Sequence, residues 1–448
     1  MNELTDLLRQ GSVTAKEIMS RLGISQATLS RRVAEIGNVR KIGRGKSTRY
    51  VLQRDVDGQS EFPLYQINEI GHAVLIGMLF SVWPAESCAL ETSQGRCVLF
   101  DGLPWFITDM RPQGFLGRAW GRDISESLDL PEDIKLWTES QTLKALSRQG
   151  NETVGNLIVG QLAYQKWVLK PAEVAIELSH KISAYEQLAD KSLAGQEVGS
   201  SAGGEQPKFS GYVEHQERPA SHVLVKFSPK NVNENTQRWG DLLRAEACAL
   251  AVLQRANIPA AQAKIYTGRQ GEVFLQVDRF DRVGERGRKG LASLEAVAAE
   301  FAGVNGSWVA IAIKLQKEKY ISKETLERIG ELYAFGKLIA NGDMHQGNLS
   351  FIDPPVIPGK FAFELSPVYD MLPMTFAPDR SGNMKRQALS IVIDPAVSKA
   401  QWLKAQRWAT DYWGTVASDP MISEAFRQIA REMLIEVEGL TADIQRLA

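Results

Sequence analysis

The chain has 448 residues and a mass of 49.7 kDa, a length that predicts several domains with a substantial core. Apolar residues make up 44% and charged residues 23%, which excludes a fibrous or intrinsically disordered chain. The net charge of −1 is unevenly distributed: residues 1–54 contain 11 Lys and Arg against 4 Asp and Glu. A basic segment with net charge +7 therefore precedes an acidic body with net charge −8.

The sequence predicts no membrane contact and no export. The longest nearly apolar run, residues 73–83, has 11 residues, whereas a bilayer span needs about 20. The first residues lack the features of a signal peptide, so we expect a cytoplasmic protein, associated with the nucleoid if it binds DNA. Cys88, Cys97 and Cys248 have neither disulfide-framework nor zinc-site spacing and are expected to be small apolar residues.

Residues 13–37 are typical of a helix-turn-helix. Apolar residues at helical spacing flank Gly23, which suits the positive φ of a tight turn, and Ser25 is a good N-cap for the second helix. The second helix is expected to present residue types that contact bases and phosphates in a major groove, namely Gln26, Thr28, Ser30, Arg31 and Arg32.

Residues 38–54 predict a basic β-hairpin, or wing, that follows the two helices. Its expected phosphate partners are Arg40, Lys41, Arg44, Lys46 and Arg49. Basic residues on both the second helix and the wing favour DNA as the partner. The alternative is a three-helix protein-docking module whose cations merely face solvent.

The middle of the chain carries no recognisable chemistry. Residues 55–61 are polar and fit a linker. Residues 62–190 start with strand patterns and continue with helical ones, and His72 and His180 have no partner at metal-ligand spacing. We expect a scaffold or a partner-docking surface.

A glycine-rich loop, a lysine and a glutamate occur in the order found in kinases. Residues 199–208 (GSSAGGEQPK) combine small residues with Lys208 and are able to hold a phosphate. Lys226 ends the strand pattern HVLVK, as does the lysine that pairs with ATP phosphates in kinases. Glu246 lies in a later helical segment, from which it could pair with Lys226.

The segment Asp343 to Asn348 has the spacing of a kinase catalytic loop. In that loop the aspartate accepts the proton of the attacking hydroxyl and the asparagine ligates Mg²⁺. Asp370 follows 27 residues after Asp343 and can supply a second carboxylate ligand. Together with Lys226, these residues predict phosphoryl transfer.

These residues resemble the HipA family of bacterial serine/threonine kinase toxins. The family's loop commonly has the form SxGGxxPK, and residues 201–208 are SAGGEQPK. Residues 276–282 (QVDRFDR) are similar to the family's ERFDR stretch, which implies that the backbone of Asp278 to Phe280 contacts adenine. The fused N-terminal segment resembles the YjjJ-type branch.

The resemblance implies the role of each candidate residue. Asp343 is the catalytic base, and Asn348 and Asp370 are the Mg²⁺ ligands. Ser201 matches a loop serine whose autophosphorylation inactivates family members, and the adjacent Ser200 is the alternative. The residues expected to bind ATP are Ser201, Gly203, Gly204, Lys208, Lys226, Glu246, Asp278 and Phe280.

Two features depart from the family pattern. Residues 293–296 are SLEA where the family usually has an HxED-like segment, which leaves the choice of substrate open. Family toxins normally associate with a separate helix-turn-helix antitoxin, whereas a helix-turn-helix is fused here. A separate HipB-like antitoxin is therefore an open question.

The resemblance implies an α+β chain with a bilobal, protein-kinase-like HipA fold and an N-terminal winged helix-turn-helix domain. The expected domains are a DNA-binding domain at 1–54, a linker at 55–61, a HipA-type N-terminal subdomain at 62–190, a kinase N-lobe at 191–284 and a helical C-lobe at 285–448.

Three functions follow as hypotheses. The first is an ATP- and Mg²⁺-dependent serine/threonine kinase that inhibits growth as a toxin and binds DNA, with a protein substrate such as an aminoacyl-tRNA synthetase. The second is a small-molecule phosphotransferase, because aminoglycoside-type kinases share the GDxxxxN loop. The third is a DNA-binding transcription regulator whose kinase-like body is a non-catalytic sensor.

Overall fold

A computed structural model describes residues 3–43, 45, 48–195, 206–230, 233–379 and 381–447. The chain divides into two compact units, which among these residues comprise 3–172 and 173–447. The finer domain boundaries expected from the sequence stay predictions.

The first unit begins with three short helices and a hairpin. These are α1 (Glu3–Arg9), α2 (Ala15–Leu22), α3 (Gln26–Ile36), β1 (Val39–Ile42) and β2 (Arg49–Leu52). Gly23 caps α2 with a left-handed φ of 64°, and the Ser25 hydroxyl caps α3 by accepting the Thr28 N–H at 3.2 Å. The predicted turn residue and N-cap are confirmed.

The rest of this unit is a five-stranded antiparallel sheet with helices, as the pattern of strands followed by helices predicted. The strands are β3 (Glu61–Ile67), β4 (Ala73–Ser81), β5 (Cys88–Thr92), β6 (Cys97–Phe100) and β7 (Leu157–Val159), in the order β6-β5-β4-β3-β7. The helices are α4 (Gly114–Leu128), α5 (Glu139–Gln149) and α6 (Gln161–Leu169), with 3₁₀ turns at Trp105–Met110, Ile134–Leu136 and Gly150–Glu152.

The N-terminal hairpin shares a hydrophobic core with the five-stranded sheet. Ile42 and Val51 pack with Phe80, Val82 and Ala89, and all five are buried. The segment predicted as a linker is also held in place, because its Asp57 pairs with Lys144 and Arg148 of α5. The hairpin is therefore a structural part of this unit.

The second unit begins with an antiparallel sheet between two helices. Its strands are β8 (Lys208–Val213), β9 (Ser221–Phe227), β10 (Ala263–Thr267) and β11 (Val273–Asp278), in the order β10-β11-β9-β8. The helices are α7 (Lys181–Leu193), which follows a 3₁₀ turn at Leu178–His180, and α8 (Glu234–Arg255). Side chains alternate along β11: Phe274 packs with Tyr185 of α7, and Leu275 packs with Leu243 of α8.

The remainder of the second unit is mainly helical around small sheets. Its strands are β12 (Arg282–Val283), β13 (Gly287–Arg288), β14 (Leu291–Ser293), β15 (Ser350–Ile352) and β16 (Glu364–Leu365). Its helices are α9 (Leu294–Val297), α10 (Trp308–Lys317), α11 (Lys323–Leu338), α12 (Lys399–Ser418), α13 (Glu424–Gly439) and α14 (Thr441–Gln445), with a π-turn at Ala298–Ala302 and 3₁₀ turns at Gln346–Asn348 and Met374–Phe376.

Buried tryptophans hold this helical part together. Trp308, Trp402 and Trp413 are almost fully buried, and the Trp413 indole donates a hydrogen bond to the Leu338 carbonyl at 3.0 Å. This bond joins α12 to the end of α11, just before the residues of the predicted catalytic loop.

Within the described ranges, none of the helices has both the length and the apolar composition needed to cross a bilayer.

The shared core of the first unit predicts a coupled loss of stability. Phe80→Ala should reduce the free energy of unfolding by about 3–5 kcal/mol, because it removes a fully buried ring from between the hairpin and the sheet. Urea denaturation measures the loss, and hydrogen exchange should show faster exchange in both residues 39–52 and residues 73–92. Phe361→Ala, at an exposed phenylalanine, is the control. Unchanged exchange in the hairpin would contradict a shared core.

Candidate active site

Lys226 and Glu246 form a buried ion pair between the sheet and α8. Lys226 lies near the end of β9, and its Nζ is 2.8 Å from both carboxylate oxygens of Glu246. Lys226 is 5% exposed and Glu246 is 1% exposed. A buried charge is costly unless it is paired, so each of these residues fixes the position of the other. The pairing predicted from the sequence is confirmed.

Asp370 joins this pair from a distant part of the chain. The Lys226 ammonium donates a hydrogen bond to Oδ1 of Asp370, which has a left-handed φ of 54°. The neighbouring Tyr369 fixes the backbone there, because its hydroxyl donates to the Gly347 carbonyl at 2.7 Å and lies 2.6 Å from the Ser350 hydroxyl. Asp370 is thereby held beside the segment that contains Asp343.

Burial is the largest influence on the pKa values of all three charged groups. It raises the pKa of Glu246, and Lys226 offsets only part of this effect. Burial would also raise the pKa of Asp370, but the charges of Lys226 and Lys208 outweigh it and the pKa is lowered. For Lys226, the charges of Asp370 and Glu246 outweigh burial and raise the pKa. Lys226 and Asp370 are therefore charged at neutral pH.

The loop from Asn341 to Asn348 presents the Asp343 carboxylate to solvent on a fixed backbone. The side-chain oxygen of Asn341 accepts the Asp343 N–H at 3.0 Å, and the Asn348 side chain donates to the Asp343 carbonyl at 2.8 Å. Both asparagines are buried, whereas Asp343 is exposed. The Trp308 indole also donates to the His345 carbonyl at 3.0 Å.

Asp343 lies within electrostatic reach of the other charged site residues. Desolvation by the surrounding protein is the largest influence on the pKa of Asp343 and raises it. The charge of Asp370 raises it further, whereas His345, Lys226 and Lys208 lower it. A raised pKa strengthens a carboxylate as a proton acceptor.

Lys208 contributes a second cation on the same face of the sheet. It pairs with Lys226 in the antiparallel register of β8 and β9, so both side chains leave the sheet on the α8 face. Lys208 is buried, and its carbonyl accepts a hydrogen bond from Ser192 at 2.9 Å. The other predicted loop residues, Ser200, Ser201, Gly203 and Gly204, lie outside the described residues.

The predicted hinge residues lie at the end of β11. The Phe280 ring is 5.7 Å from the ring of Tyr369, next to Asp370. The Asp278 side chain lies on the opposite, α7 face of the sheet, where it pairs with Arg218. The carboxylate of Asp278 therefore does not join Lys226 and Asp370. The prediction that the backbone of 278–280 contacts adenine stays a prediction.

Glu295, in the segment that departs from the family pattern, lies beside the loop of Asp343. Ser293 caps α9 by accepting the Ala296 N–H at 3.2 Å, and the Leu294 N–H donates to the Leu349 carbonyl at 2.7 Å. A carbon atom added at Gly347 would lie 3.7 Å from Oε2 of Glu295. The exposed Glu295 carboxylate thus lies near the loop of Asp343, although residues 293–296 lack the histidine of the family's HxED-like segment.

Three residues that no sequence motif indicated also support this loop: Asn341, Trp308 and Tyr369. Asn341 was detectable, because an asparagine two residues before a loop residue commonly accepts its backbone N–H. Trp308 and Tyr369 carried no signal, since their partners are 37 and 22 residues away in the chain.

In the N-terminal helices, only part of the predicted DNA-contacting set faces solvent. Gln26, Ser30 and Arg31 are exposed on α3, whereas Thr28 and Arg32 are half-buried. Thr28 contacts the Ser25 cap, and Arg32 lies 3.7 Å from Glu3 of α1. The expectation that α3 exposes Thr28 and Arg32 is thus corrected, because these positions turn toward the cap and toward α1.

Two arginines of the hairpin are engaged within the first unit. Arg40 bonds to Glu61, and its guanidinium lies 4.2 Å from the centre of the Phe80 ring. Arg49 donates to the hydroxyl and the carbonyl of Ser12, both at 2.8 Å. The expected role of both arginines as phosphate partners stays a prediction. Lys41 is exposed, and Arg44 and Lys46 lie outside the described residues.

Comparison with known proteins identifies the family. A model of the YjjJ-like toxin middle domain matches residues 58–168, and a model of the HipA-like C-terminal domain matches residues 200–439. The chain is 43% identical over 451 aligned residues to Toxin YjjJ of Escherichia coli (strain K12), with 100% of both proteins covered. The chain belongs to the HipA-like toxins, as a member of their YjjJ-like branch.

One solved structure supports the same fold. A chain of the HipA, HipB and operator DNA complex of Shewanella oneidensis MR-1 matches with a TM-score of 0.53 at 15% identity, covering 86% of this chain and 100% of that one. The proinflammatory kinase CtkA of Helicobacter pylori matches with a TM-score of 0.38 at 13% identity, covering 54% of this chain and 90% of that one. The first match shows a mixed helix and sheet fold of the HipA type.

The buried charge cluster predicts a pH-dependent effect of removing its cation. Lys226→Met should reduce the free energy of unfolding by about 3–5 kcal/mol at pH 7, because two buried carboxylates lose their partner. Without Lys226, the pKa values of Glu246 and Asp370 in the folded state rise above their values in the unfolded state. The loss of stability is therefore largest at pH values above the pKa of these carboxylates in the unfolded state. It should shrink as the pH falls toward 4 and the carboxylates become protonated.

Urea denaturation of wild type and variant between pH 4 and 8 measures this difference. Lys317→Met, at an exposed lysine of α10, controls for the loss of one positive charge. A loss of stability that does not change with pH would show that Lys226 contributes only packing.

Proposed function

We propose that this chain is an ATP- and Mg²⁺-dependent serine/threonine-protein kinase that inhibits growth as a HipA-like toxin. The observation that carries the proposal is the arrangement of Lys226, Glu246 and Asp370 beside the loop of Asp343 and Asn348. Phosphoryl transfer needs cations for the phosphates, oxygen ligands for metal and a base for the acceptor hydroxyl, and these residues supply all three.

Lys226 and Lys208 bind the ATP phosphates in this proposal. Glu246 positions Lys226, since a carboxylate that accepts two hydrogen bonds limits the movement of the ammonium. In the structure the Lys226 ammonium also donates a hydrogen bond to Asp370. The ATP phosphates must therefore compete with Asp370 for the Lys226 ammonium. The backbone of Asp278 to Phe280 contacts adenine, and the glycine-rich loop with Ser201, Gly203 and Gly204 covers the phosphates.

Asp370 and Asn348 suit Mg²⁺, which prefers oxygen ligands. The Asn348 side-chain N–H is used on the Asp343 carbonyl, which orients the amide and leaves its oxygen for a metal. Asp370 is ionised, and Lys226 occupies only one of its oxygens in the described contacts. Bound Mg²⁺ would neutralise the charge of the triphosphate.

Asp343 accepts the proton of the attacking hydroxyl. Its side chain is exposed, its backbone is fixed by Asn341 and Asn348, and its pKa is raised. These are the properties of a general base that an acceptor substrate can reach.

Asp343→Asn should keep the fold and reduce phosphate transfer by a factor of about 10² to 10⁴, because the amide cannot accept the proton. Transfer of radiolabel from ATP to protein measures the activity, and growth on induction measures the toxicity. Both should be lost together. Asp443→Asn, at an exposed aspartate of α14, is the matched control.

The same reaction separates the alternatives. Labelled protein in a lysate supports a protein kinase, whereas label only on small molecules would support a small-molecule phosphotransferase. No transfer by wild type together with persistent toxicity of Asp343→Asn would favour a regulator with a non-catalytic body. Phosphosite mapping tests autophosphorylation of Ser201 or Ser200, where added negative charge would repel ATP phosphates.

The protein substrate and the antitoxin remain part of the proposal. A component of translation, such as an aminoacyl-tRNA synthetase, is the substrate class implied by the family resemblance. The matching Shewanella oneidensis HipA is in a complex with HipB and operator DNA, which supports testing a HipB-like protein and DNA as partners.

The second proposed activity is DNA binding by residues 1–54, folded as a winged helix-turn-helix. Gln26, Ser30 and Arg31 share the exposed side of α3, and the segment has a net charge of +7. In this proposal α3 contacts base edges, and Lys41, Arg44 and Lys46 contact phosphates. Arg40 and Arg49 hold the hairpin in place through their contacts with Glu61 and Ser12, and Arg32 contacts Glu3 of α1.

Arg31→Gln should weaken DNA binding and reduce the slope of log K against log salt by about 1 if Arg31 contacts a phosphate. If Arg31 contacts a base, the slope should stay the same and sequence preference should fall. Gel-shift titrations at several salt concentrations measure both quantities, with Arg446→Gln in α14 of the second unit as the control. DNA affinity independent of salt in the wild type would contradict the proposal.

A further inference from the structure

A cavity of about 500 Å³ lies on the α7 face of the sheet of the second unit. This is the face opposite to Lys226, because side chains alternate along β11 and Leu275 pairs with Lys226 whereas Gln276 and Asp278 line the cavity. The volume falls within the range of small-molecule sites, roughly 300–1,000 Å³. The cavity is therefore distinct from the candidate active site.

Two lysines converge on one wall of this cavity. The ammonium groups of Lys181 and Lys264 each lie 5.4 Å from the centre of the Tyr266 ring. Lys181 is 2% exposed and donates to the Glu214 carbonyl at 2.7 Å, and Lys264 is exposed. Neither forms an ion pair with a carboxylate in the part of the chain that the structure describes. The cavity is thus lined by two lysines that form no ion pair of their own among the described residues, together with the carboxylates of Asp278 and Glu217.

A third cation and an unused acceptor complete the lining. Arg218 pairs with one oxygen of Asp278, and its Nη2 lies 3.2 Å from Nδ1 of His215. The other Asp278 oxygen, Oδ1, is shielded from solvent and accepts no hydrogen bond from the described residues.

The charges on this wall repel one another. Burial is the largest influence that lowers the pKa of Lys181; the neighbouring charges of Lys264 and Arg218 lower it further, whereas those of Asp278 and Glu214 raise it. The pKa of His215 is lowered first by burial and then by Arg218. A bound anion would relieve this repulsion.

We propose that this cavity is a binding site for a phosphate-bearing small molecule, held by Lys181, Lys264 and Arg218. The two lysines donate to the phosphoryl oxygens. Because Asp278 is two residues from Phe280, the bound ligand would lie next to the segment whose backbone is predicted to contact adenine. The site does not depend on phosphate transfer by this chain.

Calorimetric titration of the full chain with inorganic pyrophosphate at constant ionic strength tests the site. Lys264→Gln should weaken binding at least about tenfold, because one charge-assisted contact is lost. Lys317→Gln, which removes the same charge from α10, should bind as the wild type does. Since Lys264 is exposed, this substitution does not disturb the core.

Hydrogen exchange locates the bound ion. Pyrophosphate should slow exchange at residues 262–266 and 276–278 in the wild type and in Lys317→Gln, but not in Lys264→Gln. Absence of pyrophosphate binding by the wild type would overturn the proposal. Equal affinity of Lys264→Gln and wild type would also overturn it, because the ion would then bind elsewhere, such as beside Lys226.

Discussion

The second unit depends on one buried charge cluster, in which the Lys226 ammonium bonds to Glu246 and Asp370. Taking three charges out of water costs several kcal/mol for each ion unless their contacts are well made. Glu246 belongs to α8 and Asp370 to a loop 144 residues after Lys226, so the cluster ties a helix and a distant loop to β9. The cost of leaving any member unpaired fixes the relative positions of all three segments.

The two carboxylates of this cluster have pKa values that are shifted in opposite directions. Glu246 is the more buried carboxylate and has a raised pKa, whereas the pKa of Asp370 is lowered. Asp370 therefore remains an anion next to Lys226 and Lys208, which is the state that the proposed role as a Mg²⁺ ligand requires. Its left-handed backbone is stabilised by Tyr369, whose hydroxyl bridges Ser350 and Gly347. The loop of Asp343 and the position of Asp370 are consequently set by the same side chain.

Sequence patterns predicted that Lys226 and Glu246 come together, but they did not predict which face of the sheet each neighbouring side chain occupies. The spacing of Asp343 and Asn348 and the strand ending in Lys226 indicated convergence, and the Lys226–Glu246 pair followed from their order. The side on which Asp278 lies was not predictable from hydrophobic alternation, because β11 (VFLQVD) is buried on both faces. Its direction follows only from the pairing of β11 with β9, and that register depends on long-range contacts.

The basic N-terminal segment shows a different limit of sequence analysis. Charge counting treats Arg32, Arg40 and Arg49 as equivalent to Arg31, yet only Arg31 of these four is exposed. Arg40 stacks on Phe80 and bonds to Glu61, which lie 40 and 21 residues further along the chain. An arginine packs its planar group on a ring as readily as it binds a phosphate, so composition alone does not separate the two roles. The net charge of +7 therefore does not count the phosphate contacts of this segment, and Gln26, Ser30, Arg31 and Lys41 are described residues that remain exposed for contacts with DNA.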